Sequence, residues 1–302
     1  MIDFKRIAKE SKLYNFHSHS PYCDGHAPIE DFIKEAIKMG FTHYGVSPHS
    51  PIPFFSPCNM AKEKVGDYLA EMNRLKAQYG QQIRIFTSME IDYLDDWGPS
   101  IPYFQDMPLD YRIGSVHFIP SFVSDEYVDI DGDFDNFKKK MERYFHNDIE
   151  RVIRSFYKQS TDMVEKGGFD IIGHFDKIGH NGSLFQPGID HEPWYNKLAT
   201  DLFEAIMDNG LIIEINTKKW ITDQRMFPHQ QYFKLLKKYD VPVLINSDSH
   251  FPDLINSGRL EAMQMFQQAE KIKRRPIAMS VFSYFYRILS LNQSFTFGDW
   301  SP

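Results

Sequence analysis

The feature that most restricts this chain is a repeated unit: an apolar β-type run, a polar or ionisable residue at its C-terminal end, a loop, and a helical pattern. The runs fall at residues 13–19, 42–47, 82–88, 111–116, 169–173, 211–215 and 241–246. Between them, apolar spacing predicts helices over 28–39, 61–79, 134–166, 190–209 and 230–239. Pro28 suits a first helical turn, Gly40 an exit, and Gly167-Gly168 a break. Strands alternating with helices predict a parallel sheet, and seven runs in about 240 residues suit a closed α/β barrel better than an open doubly wound sheet. No Gly-x-Gly-x-x-Gly follows any run, which argues against a dinucleotide fold.

In such a barrel the C-terminal strand ends meet on one face, where the site is expected. His17 and His19, two apart on one strand, project to the same side and can share an ion. His26 lies in the loop beyond them. His49 follows the second run, Glu90 the third, His117 the fourth, His174 the fifth, and Asp248 with His250 the seventh. One such histidine is more often packed or hydrogen-bonded than a ligand. Nine ionisable residues, seven of them histidine, in equivalent places of one repeat predict a metal centre. His43, His146, His180, His191 and His229 fall outside the pattern and are assigned to the surface.

Histidine and carboxylate without cysteine suit zinc, manganese or iron. With one carboxylate bridging, nine ligands would satisfy three divalent ions completed by water or substrate. Such a cluster keeps a charge of roughly +4 after its two carboxylates, so an anionic substrate is expected. A small phosphate ester fits: a hydroxide bridging two ions attacks phosphorus in line while the third ion holds a phosphate oxygen.

At 302 residues and 42% hydrophobic content the chain can bury a sizeable core. A net charge of -7 argues against a nucleic-acid partner, and the basic runs at 138–140 and 271–275 are expected on solvated helix faces. No long uncharged segment could span a bilayer, and the first twelve residues lack the apolar run of a secretory signal. The expected protein is cytoplasmic, with no membrane role. Cys23 and Cys58 are too few for a disulfide scaffold.

Taken together, His17-Ser18-His19, Pro48-His49-Ser50, Met89-Glu90-Ile91-Asp92, Gly114-Ser115-Val116-His117-Phe118, Asp170-Ile171-Ile172-Gly173-His174-Phe175-Asp176 and Ser247-Asp248-Ser249-His250 resemble the successive motifs of the PHP (polymerase and histidinol phosphatase) superfamily. The likeness covers roughly residues 14 to 252. Within the superfamily it is greatest to the monofunctional histidinol-phosphate phosphatases, through Ser115-Val116-His117-Phe118 before an acidic insertion, Gly173-His174-Phe175-Asp176, and Glu214-Ile215-Asn216-Thr217.

The resemblance implies a distorted seven-stranded (β/α) barrel, the PHP fold, here assigned to residues 1–275, with 276–302 as a C-terminal segment of unassigned packing. The aromatics at 282–297 are expected in the core or at an interface such as a homodimer contact. It also implies a trinuclear centre. His17, His19, Glu90 and Asp248 would hold one ion, with Glu90 bridging to a second held by His117 and His174. His26, His49 and His250 would hold the third, with Asp24 the alternative to His26. The implied activity is hydrolysis of L-histidinol phosphate to L-histidinol and phosphate, a step of histidine biosynthesis.

Asp248 is read as orienting the nucleophile, His250 or Asp176 as protonating the leaving alkoxide, and Lys218 and Arg225 as phosphate contacts. The acidic insertion at 125–135 fails as a calcium loop, because Gly132 comes too early for the sixth place and Lys140 stands where a glutamate belongs. Its functional reading is a lid whose carboxylates meet the ammonium of an amino-alcohol phosphate. Residues 56–60 lack the basic residue that relatives tend to carry, and Lys218-Lys219-Trp220 replace expected small residues. Another small phosphate ester, of a nucleotide or a sugar, is therefore the alternative substrate. A non-catalytic metal-binding protein is the rival from a different class.

Overall fold

The computed structural model describes residues 2–269. The chain begins with a helix that the sequence pattern did not mark, α1 (Phe4–Glu10), capped by Asp3, whose carboxylate accepts a hydrogen bond from the Arg6 amide. There follow β1 (Tyr14–Asn15), α2 (Ile29–Lys38), β2 (His43–Val46), α3 (Val65–Tyr79), β3 (Arg84–Thr87), β4 (Glu90–Asp92), α4 (Pro102–Gln105) and β5 (Ile113–Ser115). Next come β6 (Phe118–Pro120), β7 (Tyr127–Asp129), α5 (Phe134–Phe145), α6 (Ile149–Lys166), β8 (Ile171–Ile172) and α7 (Ile178–Phe185). The remainder is α8 (Pro193–Asp208), β9 (Ile212–Asn216), α9 (Trp220–Asp223), α10 (Phe233–Tyr239), β10 (Val243–Asn246) and α11 (Arg259–Gln268).

Two parallel sheets, ordered β1-β2-β3 and β10-β9-β8-β5-β4, carry all of these strands but β6 and β7. They join at both seams. The Ser50 amide donates to the Glu90 carbonyl at 2.8 Å and the Glu90 amide to the Pro48 carbonyl at 3.0 Å. Across the other seam, asparagine side chains stand in for the ladder: the Phe16 amide donates to Asn246 Oδ1 and the Ser247 amide to Asn15 Oδ1, both at 2.9 Å. With β3 and β4 as one strand bent at Ser88-Met89, the ring closes as the expected distorted (β/α)7 barrel.

Side chains on one face of each strand divide that interior into layers. Ile113, Ile171 and Leu244 form an apolar layer with Phe16 and Tyr111, and Phe4 and Ile7 of α1 pack against it. Phe4 meets the Phe16 ring edge-on at 4.9 Å. Burying each such side chain contributes about 1.5–3 kcal/mol. Gly45 is needed here, since a Cβ would lie 2.0 Å from the Tyr111 hydroxyl. Two residues further along the same strands stand Ser115, Gly173 and Asn246, and two beyond those His117 and Asp248.

Two expectations change. The helix expected over 134–166 is α5 and α6, because His146 (φ 52°) and Asn147 (φ 57°) turn left-handed and Asp148 caps a new start. Apolar periodicity runs through such a break unseen. The acidic insertion at 125–135 is not all loop: its residues Tyr127–Asp129 are β7, paired antiparallel with β6, which precedes it. The boundary expected at residue 275 and the segment after it lie outside the described residues. Among the described residues, no helix is long and apolar enough to cross a membrane.

Candidate metal centre

The strand ends and the loops after them deliver four overlapping groups of ligand atoms to one place, of which one, His49, Asp92 and His117, shares its histidines with the other groups. Of the other three, His17, His19 and Asp248 form one, Glu90, His117 and His174 a second, and His19, Asp24, His49 and His250 a third. Glu90 lies between them: Oε2 is 3.2 Å from His17 Nε2 and 3.1 Å from His49 Nδ1, and Oε1 is 2.7 Å from His174 Nε2. Asp248 Oδ1 is 2.9 Å from His19 Nε2. Two of these residues, His174 (φ 22°) and Asp248 (φ 49°), hold positive φ without being glycine, a strain that proteins keep chiefly at functional sites.

Do these residues fit a cation? Buried polar atoms normally have hydrogen-bond partners. Here His17 Nε2, His19 Nε2, Asp24 Oδ1, His49 Nδ1, Glu90 Oε2, His117 Nε2 and Asp248 Oδ1 are buried without one. Basic nitrogens and carboxylate oxygens, aimed inward and unpaired together, are the donor set that divalent ions satisfy. Two further carboxylates hold the rings in place. His17 Nδ1 bonds Glu214 Oε1 and His117 Nδ1 bonds Asp92 Oδ1, each at 2.7 Å, which leaves both Nε2 atoms facing inward. Glu214 also accepts from the His174 amide at 3.1 Å and from Asn216 and Asn246 at 3.0 Å.

The electrostatics follow from that crowding. Burial opposes a charge on Glu90, yet His17, His117 and His49 hold its carboxyl well below the usual range. Burial together with His250 and His49 keeps His19 neutral, as a ligand must be. Burial also opposes a charge on His117, but Asp92 and Glu90 raise it to about 9.

Three sequence assignments need correction. His26 is exposed, with its ring stacked on Phe251 at 4.3 Å, and Asp24 takes its place beside His49 and His250. The cause is the tight turn that folds Gly25 onto Ser20: the Gly25 amide donates to the Ser20 carbonyl at 3.0 Å, and a Cβ would lie 2.3 Å from the Ser20 nitrogen. Asp176 does not line the cleft. It follows the left-handed turn at His174 and faces the helical layer, where it accepts from the His229 amide at 2.8 Å. Burial, countered by Arg225, lifts its carboxyl to about 6. Arg225 is no phosphate contact in this arrangement either; it is buried and bonded to Asp190 at 2.8 Å.

Lys218 borders the ligand cluster, its Nζ 3.5 Å from Asp248 Oδ1 and 3.3 Å from His250 Nε2. A cleft of about 990 Å³ opens above, with Asp24, His49 and His117 at its base and Lys218, Lys177, Asp131 and Phe54 on its sides. Phe54 packs edge-on against Phe118 at 5.4 Å and parallel to Tyr127 at 6.3 Å. Asp92 and Glu214 had a signal in the sequence, each lying two residues from another polar strand residue, Glu90 and Asn216. Asp131 was marked only as one of several carboxylates of the acidic insertion, and Lys177, a loop residue, had no signal.

A closed parallel barrel with clustered histidines and carboxylates at one rim defines a metal-dependent hydrolase-type site. The chain matches the PHP domain family over residues 15–218, and it belongs to that family. It is 28% identical over 263 residues to the "Probable histidinol-phosphatase" of Schizosaccharomyces pombe, covering 78% of this chain and 80% of that protein. To the histidinol-phosphatase of Bacillus subtilis it is 26% identical, over 78% of this chain and 92% of that protein. Its fold matches the crystal structure of histidinol phosphate phosphatase from Lactococcus lactis, described as complexed with zinc, L-histidinol and phosphate. That match has a TM-score of 0.65 at 20% identity and covers 86% of this chain and 95% of that one.

Proposed function

We propose that this chain hydrolyses L-histidinol phosphate to L-histidinol and inorganic phosphate, as a metal-dependent phosphomonoesterase. The observation that carries the reading is the convergence of unpartnered histidine and carboxylate atoms at the base of a cleft with lysines on its sides. The relatives' activity and the ligands of the Lactococcus protein support the choice of substrate.

We assign three divalent ions, of zinc, manganese or iron. His17, His19, Glu90 and Asp248 would hold one, Glu90, His117 and His174 the second, and Asp24, His49 and His250 the third. When bound, such ions acidify a water and offset the charge of the phosphoryl group. The chain's own residues do the rest. Asp248 Oδ1 accepts the proton of the attacking water and returns it to the leaving alkoxide oxygen. Asn216 Nδ2 donates to the other oxygen at 3.1 Å and fixes the carboxylate plane. His250 is engaged elsewhere, with Nδ1 3.1 Å from the Asp248 carbonyl oxygen and a place in the ligand group with Asp24 and His49. Lys218 holds a phosphate oxygen. Phe54, Phe118 and Tyr127 give the leaving group an apolar wall.

The test is phosphate release by the metal-loaded protein from L-histidinol phosphate, a nucleoside monophosphate and a sugar phosphate. The expected kcat/KM favours histidinol phosphate by at least about tenfold. Equal or better turnover of either of the others would overturn the substrate, and inactivity on all three with ions bound would favour the non-catalytic metal-binding protein.

A further inference from the structure

We propose that the ion pair Lys177–Asp131 occupies the place of a zwitterionic substrate, and that it selects phosphate esters whose leaving group carries an ammonium. On binding, the one internal pair is exchanged for two: Lys177 with the phosphate, Asp131 with the ammonium. The inference rests on the phosphatase reading and names what that site discriminates.

The two side chains come from different loops that line the cleft. Lys177 stands on the loop after β8, three residues past His174, and Asp131 on the loop between β7 and α5. Lys177 Nζ is 2.6 Å from Asp131 Oδ2, with the lysine side chain 10% and the aspartate 32% exposed. Both line the cleft whose base presents the buried, unpartnered His49 Nδ1 and His117 Nε2. Asp248 and Glu90 act on the Lys177 ammonium along with Asp131, and His117 and Lys218 act on Asp131, so the pair borders the ligand cluster.

Two neighbouring carboxylates of the insertion have partners of their own close by in sequence. Asp129 accepts from Lys140 at 2.8 Å and from the Asp131 amide at 2.7 Å, and Asp133 caps α5 through the Asn136 amide at 2.9 Å. Asp131 alone among these is bonded to a cation from the barrel rim.

Splitting a shielded pair is unfavourable when either charge is left alone. A phosphate ester without an amine would draw Lys177 and strand Asp131. An amine without phosphate would strand Lys177. An amino-alcohol phosphate satisfies both, so the discrimination comes as much from the penalty on the wrong ligand as from contact with the right one.

Calorimetry on the metal-loaded wild-type protein tests this without any substitution. Inorganic phosphate is expected to raise the affinity for L-histidinol about tenfold, and to leave that for its des-amino analogue unchanged, because each partner of the exchange frees the site for the other. Equal affinity for L-histidinol with and without phosphate overturns the proposal. The second arm is the ratio of kcat/KM for L-histidinol phosphate to that for its des-amino analogue. Asp131→Asn is expected to lower this ratio about tenfold, and Asp131→Glu to restore most of it. An equal loss on both esters overturns the proposal. If wild type with ions bound hydrolyses neither ester, the phosphatase reading fails; if it hydrolyses both without preference, only the exchange fails.

Discussion

The two ends of the barrel are built on the same strands and are equally buried, yet they solve opposite problems. The apolar layer of Phe16, Tyr111, Ile113, Ile171 and Leu244, closed by Phe4 and Ile7, pairs the few polar atoms it has: the Tyr14 hydroxyl, for example, accepts from the Ile245 amide at 3.1 Å. The rim, a few residues further along, leaves nitrogen or oxygen atoms of eight ligand-group side chains unpaired and holds two residues at positive φ. Such a rim costs folding stability until a cation binds, and the layer beneath supplies what offsets it. That division matches the general rule that these barrels place chemistry at one strand end and stability at the other.

Substitutions at the two ends should therefore separate activity from stability. The largest effect is expected from Glu90→Gln, which removes the carboxylate shared between groups. We expect kcat/KM to fall about a thousandfold or more, while the melting temperature of the metal-free protein moves by no more than about a few degrees. A fall in melting temperature as large as that of a core cavity would break the comparison. Leu244→Ala, fully buried in the apolar layer, is expected to do the reverse, costing about 2–5 kcal/mol in denaturant unfolding while the folded protein keeps its metal stoichiometry.

Glu214→Gln sharpens the contrast within the rim, since Glu214 touches no unpaired ligand atom and acts through the His17 ring. A titration should show metal affinity weakened about 10–100-fold, with circular dichroism unchanged; unaltered affinity would make Glu214 a purely structural residue. The smallest effect is expected from Arg6→Ala. Its 2.8 Å pair with Glu10 lies on the exposed face of α1, and such pairs are held weakly against solvent. No resolvable change in melting temperature is expected, because Phe4 and Ile7 hold α1 in place.

Much of this was legible in the sequence because strand ends repeat. Glu90, His117, His174, Asp248 and the His17/His19 pair sit where alternation along a strand puts them, so period and position fixed both face and neighbourhood. What failed lay beyond the strands. Asp24 and His26 are separated by the Gly25 turn, which swings one inward and the other onto Phe251. Asp176 looked like a rim residue by count, but the left-handed turn at His174 redirects the chain before it. Arg225 looked like a phosphate contact by type, and its partner Asp190 lies 35 residues away in sequence. α1 is a short segment whose helix is sustained by tertiary packing more than by propensity.

The most direct test is anomalous diffraction from crystals of the protein loaded with zinc or manganese. The account predicts ions at three positions: one among His17, His19, Glu90 and Asp248, one among Glu90, His117 and His174, and one among Asp24, His49 and His250. Ions bound without Glu90 and Asp248, or no ion at this rim at saturating metal, would contradict it.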